Sequence, residues 1–227
     1  MYSNDVSEHC SLIFCFGKEV KMPRDKTENH EKILMAAYDE FLKYGFNDAS
    51  MRRIAAACDM SASGLYKHFP SKEEMFSALV EPAYDGLKQE YFTVMDRELD
   101  SVDESFINDL WENNADTVWI IKYIYKHFSA FKLLVCRSQG TRYENYVHEL
   151  AVLEEESTRR YLKKMKSLGI DLKMIPKKEY HLFVTTNINA IFEPVIHDFS
   201  EKDALSYAKH LDKFTVAGWK KLMLNET

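Results

Sequence analysis

The residue types best suited to chemistry in this 227-residue chain are Ala62-Ser63-Gly64, then Tyr66-Lys67-His68, then Lys72. The chemistry they suit is recognition of a polyanion. Three small residues opening a short helix let its backbone approach a duplex closely. Tyr66, Lys67, His68 and Lys72 supply donors suited to phosphate oxygens. Ser61 is placed to cap this helix, and Pro70 breaks it after Phe69. Upstream, Ser50 is a plausible cap for another short helix through about Ala57, with Arg52 and Arg53 near its start. Asp59 and Met60 make the tight turn between the two. Two short helices so joined form a helix-turn-helix, whose second helix lies in the major groove. Ile54, Ala55, Cys58, Met60, Leu65 and Phe69 supply its small core.

Charge agrees locally and disagrees globally. The whole chain carries −6. Residues 50–72 hold Arg52, Arg53, Lys67 and Lys72 against Asp59 alone, a net +3, whereas residues 81–227 hold 20 basic and 24 acidic residues. A small positive element on an acidic body suits a protein that touches DNA with one end.

These side chains need a scaffold, and the pattern around them is helical throughout. Apolar residues recur at three to four positions from Glu28 through Ile33, Ala37, Phe41 and Leu42. Gly45 suits a left-handed end to that helix, and Phe46 can fold back over its last turn. Ser71-Lys72-Glu73-Glu74 reads as a capping box opening a long helix toward about Leu99, with Pro82 as a kink. Helices are expected over about 103–125, 129–137, 141–168 (ended by Gly169), 177–199 and 203–224. No strand alternation and no internal repeat is present. The expected fold is all-α. Residues 1–21 form a flexible N-terminal extension, 22–80 a three-helix DNA-binding domain, and 81–227 a larger helical bundle for ligand binding and dimerisation.

The stretch Glu31 to Leu79, EKILMAAYDEFLKYGFNDASMRRIAAACDMSASGLYKHFPSKEEMFSAL, resembles the TetR family of bacterial transcriptional regulators. Ile54-Ala55, Gly64-Leu65-Tyr66 and Phe69-x-x-Lys72 carry the likeness. The resemblance implies a homodimer bound to palindromic, double-stranded operator DNA and released when a small molecule enters the C-terminal domain. By position, it implies phosphate contacts from Ser50, Tyr66 and Lys72, and groove contacts from Ala62, Ser63, Gly64 and Lys67. Arg52 or Arg53 adds a backbone or base contact. One departure is Asp59, where the family usually has Gly. Asp tolerates a left-handed backbone better than most residues, so the turn is expected to survive.

For the C-terminal bundle, the expected effector pocket draws on Trp119, Tyr123, Phe131, Cys136, Tyr143, Val147, Phe183 and Asn187, with Arg142 and His148 as further polar anchors. Most aromatics at helical spacing are ordinary core, so only some of these can face a void. An uncharged or weakly charged ligand, aromatic or acyl-bearing, is expected in a cavity of about 300 Å³ or more. The expected dimer seam is Ile188, Ile191, Phe192 and Val195. His197 and Glu201 have ligand-compatible spacing, but no second pair stands near, so neither a metal nor a cofactor is expected. Enzyme motifs such as a Gly-rich phosphate loop, GxSxG or HExxH are missing. Four cysteines without CxxC spacing suit reduced thiols in the cytoplasm, and no 18-residue apolar run predicts a membrane span. Two other readings stay open: an interaction protein whose helix-turn-helix no longer binds DNA, and a ligand-dependent activator.

Overall fold

A computed structural model describes residues 24–101, 116–170 and 172–223. The expected extension 1–21 lies outside the described residues, as do residues 103–115 of the helix expected over about 103–125. The described residues form nine helices and no strand: α1 Arg24–Asp48, α2 Met51–Ala57, α3 Ala62–His68, α4 Lys72–Ser101, α5 Asp116–Lys126, α6 Phe128–Arg137, α7 Tyr146–Ser167, α8 Lys177–Ile196 and α9 Glu201–Met223. They fall into two compact units. The first comprises residues up to Pro82 together with 126–141, and the second comprises 83–125 and 142–227. The division therefore returns α6 to the N-terminal unit, unlike the continuous split at residue 80 expected from sequence.

In the first unit, Ile33, Ala37 and Phe41 form the buried stripe of α1. Gly45 kinks the helix at φ 74°, ψ 170°. The positive φ is the expected one, but the extended ψ lets the chain make one more turn through Asp48. Ala49 N–H closes that turn on the Gly45 carbonyl at 3.1 Å. Phe46 does fold back, stacking on Phe41 and meeting Phe76 edge-on. α6 packs along α1, burying Phe131, Leu133 and Leu134. Its last residue, Arg137, donates from Nε to the Leu42 carbonyl at 2.6 Å.

In the second unit, α7 and α8 pack most closely against each other. α7 ends as expected at Gly169, φ 82°. There Ile170 N–H returns to the Met165 carbonyl and Gly169 N–H to that of Lys166, the paired bonds that satisfy a helix end. α8 ends the same way with Asp198 at φ 53°. Ile188, Ile191, Phe192 and Val195 are all buried within this single chain. They cannot be the dimer seam. α8 carries apolar residues on several faces, and the face chosen from sequence is the one that packs inward. The apolar residues left exposed on α8 and α9 include Leu182 at 66% and Phe214 at 77%. Among the described residues, no helix is long and apolar enough to cross a membrane.

Candidate nucleic-acid interface and effector cavity

The turn between α2 and α3 is built around Asp59, which adopts φ 57°. Met60 N–H bonds to the Ala55 carbonyl at 2.9 Å and Asp59 N–H to that of Ala56 at 3.2 Å. Asp59 thus fills the position glycine usually takes. Its carboxylate also pairs with Lys32 Nζ at 2.8 Å, which holds the carboxyl below its ordinary pKa. Beyond the turn, Ser61 Oγ accepts from Gly64 N–H at 3.0 Å, the cap read from sequence. A β-carbon on Gly64 would stand 3.3 Å from that same oxygen, so the small residue keeps the cap undistorted. Leu65, fully buried, and Phe69 anchor α3 to the unit. Ala62 and Gly64 are half-buried, while Ser63, Tyr66, Lys67 and His68 face solvent.

The basic residues divide into two groups. Arg52 and Lys67 are exposed and make no hydrogen bond or ion pair among the described residues. Arg53 and Lys72 are already engaged. Arg53 donates from Nε to Glu40 at 2.8 Å and from Nη2 to the Asp48 carbonyl at 2.8 Å, and lies over the Tyr44 ring. Lys72 Nζ donates to the carbonyls of Asn47 at 2.9 Å and Ala49 at 3.2 Å, above the Phe46 ring. These two cations hold the end of α1 and the start of α2. Ser50 makes no side-chain cap; its N–H donates to Glu40 Oε1 at 2.7 Å. Glu40, buried on the apolar stripe of α1, therefore organises this corner. It was missed in the sequence, although a carboxylate between Ala37 and Phe41 is a legible signal. Ser71 Oγ caps α4 by accepting from Glu74 N–H at 3.0 Å.

The second unit contains a cavity of about 290 Å³, just short of the expected 300 Å³ or more. Trp119 and Asn187 line it. Both bring a buried polar atom without a hydrogen-bond partner among the described residues, the indole Nε1 and the amide Oδ1. The other expected lining residues are elsewhere. Tyr123 donates to the Ala83 carbonyl at 3.1 Å, and its hydroxyl occupies the space a side chain on Gly86 would need. Tyr143 is buried against Tyr84, Val147 does not line the cavity, and Phe183 is 44% exposed beside Trp219. Phe131 and Cys136 belong to the N-terminal unit with α6. Arg142 lies against its neighbour Tyr143 and His148 against His181, so neither anchors this cavity. His197 pairs with Glu193 at 3.1 Å. Among the described residues, no group of three His, Cys, Asp or Glu side chains is placed to hold a metal ion.

Residues 33–79, which span this helix-turn-helix, match the family described as bacterial regulatory proteins, tetR family. Over these residues the chain carries a DNA-binding domain of the tetR type. Among TetR-family relatives, HTH-type transcriptional regulator UidR of Escherichia coli strain K12 is 37% identical over 59 residues, 26% of this chain and 30% of that protein. HTH-type transcriptional activator FasR of Mycolicibacterium smegmatis is 36% identical over 67 residues, 30% of each. The chain thus spans less than a third of the length of these relatives. Both are named as regulators of transcription and neither as an enzyme. The fold extends further than the sequence likeness. SmeT, the repressor of the Stenotrophomonas maltophilia multidrug efflux pump SmeDEF, superposes with a TM-score of 0.54 at 18% identity, covering 84% of this chain and 89% of SmeT. Its triclosan complex gives 0.51 at 17% identity over 88% and 93%. At such identity the likeness concerns the TetR fold alone.

Proposed function

We propose that this chain is a ligand-responsive, sequence-specific regulator of transcription in the cytoplasm, acting as a homodimer on an inverted-repeat operator. The observation that carries the reading is the face of α3. Ser63, Tyr66, Lys67 and His68 project from a helix whose cap, turn and anchor residues are all fixed by local bonds. Such a rigid, donor-rich face is suited to a major groove. Arg52 supplies a further free cation, while Arg53 and Lys72 position the elements and have donor capacity to spare for phosphate.

The cavity is the proposed effector site. A buried indole N–H and a buried amide oxygen without partners cost about 1–3 kcal/mol each, a cost that a ligand would remove. α4 is the proposed link, because the division between the units falls within it, at Pro82 and Ala83. The coupling must be reciprocal: DNA weakens the effector by the factor with which the effector weakens DNA. The proposed dimer seam is the exposed face of α8 and α9 around Leu182 and Phe214. There Gly218, one turn beyond Phe214, leaves open space for a partner side chain. Repression relieved by effector is the simplest mode, and SmeT is named a repressor. Activation is the second reading, favoured by the named activity of FasR.

Selection of duplexes from a random pool tests the proposal. An enriched inverted repeat, retarded by the protein as a dimer, is the expected result. No enrichment and no retardation at low salt would overturn it.

A further inference from the structure

We propose that the effector is an organic cation: an apolar body carrying an ammonium group and one hydrogen-bond acceptor, seated with its charge on Glu154. This rests on the reading of the cavity as the effector site. Three charged side chains line the cavity, and two are already compensated. Lys88 pairs with Asp85 at 2.9 Å, and Arg160 pairs with Asp96 at 3.2 Å. Glu154 has only neutral partners. Tyr91 donates its hydroxyl to one carboxylate oxygen and Thr158 donates to the other at 3.2 Å. No cation stands within ion-pair distance of Glu154 among the described residues. Burial and the Glu154 charge both push the Tyr91 and Tyr180 phenols up, so these rings stay neutral beside it.

A half-buried carboxylate with hydroxyl partners only is an uncompensated negative charge in an apolar space. The walls suit a positive guest. Tyr91, Trp119, Tyr161, Tyr180 and Trp219 all line the cavity, and ring faces attract ammonium groups. Two of the unpartnered atoms on the wall, on Trp119 and Asn187, complete the specification. Asn187 Oδ1 accepts an N–H from the guest, and Trp119 Nε1–H requires an acceptor on it. A carboxylate guest would instead face Glu154 with like charge. A carboxylic acid, unlike the uncharged or weakly charged acyl-bearing ligands expected from sequence, is therefore disfavoured by this cavity.

Three probes of one shape separate the possibilities: 4-phenylbutylamine, 4-phenylbutan-1-ol and 4-phenylbutyrate, titrated calorimetrically into the full chain at neutral pH. The amine should bind at least tenfold more tightly than the alcohol, with the butyrate weakest. Glu154→Gln keeps the side-chain shape and should abolish the amine's advantage while leaving the alcohol unchanged. The wild-type ranking needs no variant, so a poorly folding substitution does not spoil the test. Alcohol or butyrate binding as tightly as the amine would overturn the cation assignment and leave the effector site standing. So would an undiminished preference for the amine in Glu154→Gln. Failure of all three probes to bind would overturn both.

Discussion

The two units treat buried polar groups in opposite ways. In the N-terminal unit, the polar groups that shape the α2–α3 corner meet partners within the same corner. Glu40 accepts from Ser50 N–H and Arg53, Lys72 donates to the Asn47 and Ala49 carbonyls, and Ser61 accepts from Gly64 N–H. In the C-terminal unit, Trp119 and Asn187 face a cavity with polar atoms unpaired, and Glu154 has no countercharge, among the described residues. One unit is a finished surface whose free donors point outward. The other is an unfinished interior. The proposed DNA-reading face and the proposed effector pocket need these opposite solutions.

Substitutions can break this contrast, and the largest effect belongs to the finished core. Phe76 is fully buried against Phe41 and Phe46, so Phe76→Ala should cost about 3–5 kcal/mol, with DNA retardation lost in step with unfolding. Denaturant titration measures it. Glu40→Ala should cost about 1–3 kcal/mol, because it strands Ser50 N–H and frees Arg53. DNA affinity should fall by more than the stability loss explains, since the corner that aims α2 is released; a retardation assay at a temperature where the variant is folded separates the two. The opposite sign is expected in the cavity. Asn187→Leu removes an unpaired amide oxygen and should stabilise the chain by about 1 kcal/mol while abolishing amine binding. A melting scan with and without 4-phenylbutylamine checks both parts.

The smallest expected effect lies at Asp59. Lys32 holds its folded pKa below the ordinary value of about 3.9, so the pair stabilises the fold above that value. The contribution is lost as pH falls through the lower folded pKa. Asp59→Asn keeps the left-handed turn and removes only the charge. Its melting temperature should lie slightly below wild type at neutral pH, with the gap closing in acid and in high salt. An unchanged gap at low pH would show that the carboxylate serves some other purpose.

What the sequence shows plainly is local. Ser61, Asp59, Gly45, Phe46 and Gly169 act through neighbours a few residues away, and each sits where its spacing predicts, Gly45 with a different ψ. The C-terminal choices depend on distant partners. Phe131 and Cys136 have the right residue types for a pocket, but α6 packs on α1, nearly a hundred residues earlier. Ile188, Ile191, Phe192 and Val195 have a seam's periodicity, but periodicity cannot say which apolar face of α8 meets its own chain. The bonds that Arg53 and Lys72 make within the chain are not legible in the sequence, because their carboxylate and carbonyl partners come together only on folding.

The central claim is that the exposed face of α3 reads bases. It is tested most directly by repeating the duplex selection with Ser63→Ala and Lys67→Ala, using Lys220→Ala on α9 as the control. The account predicts that the two α3 variants change the preferred bases at particular positions of the repeat, each by about 1–3 kcal/mol of discrimination, and that the Lys220→Ala profile matches wild type. An identical base profile in all four proteins would contradict it.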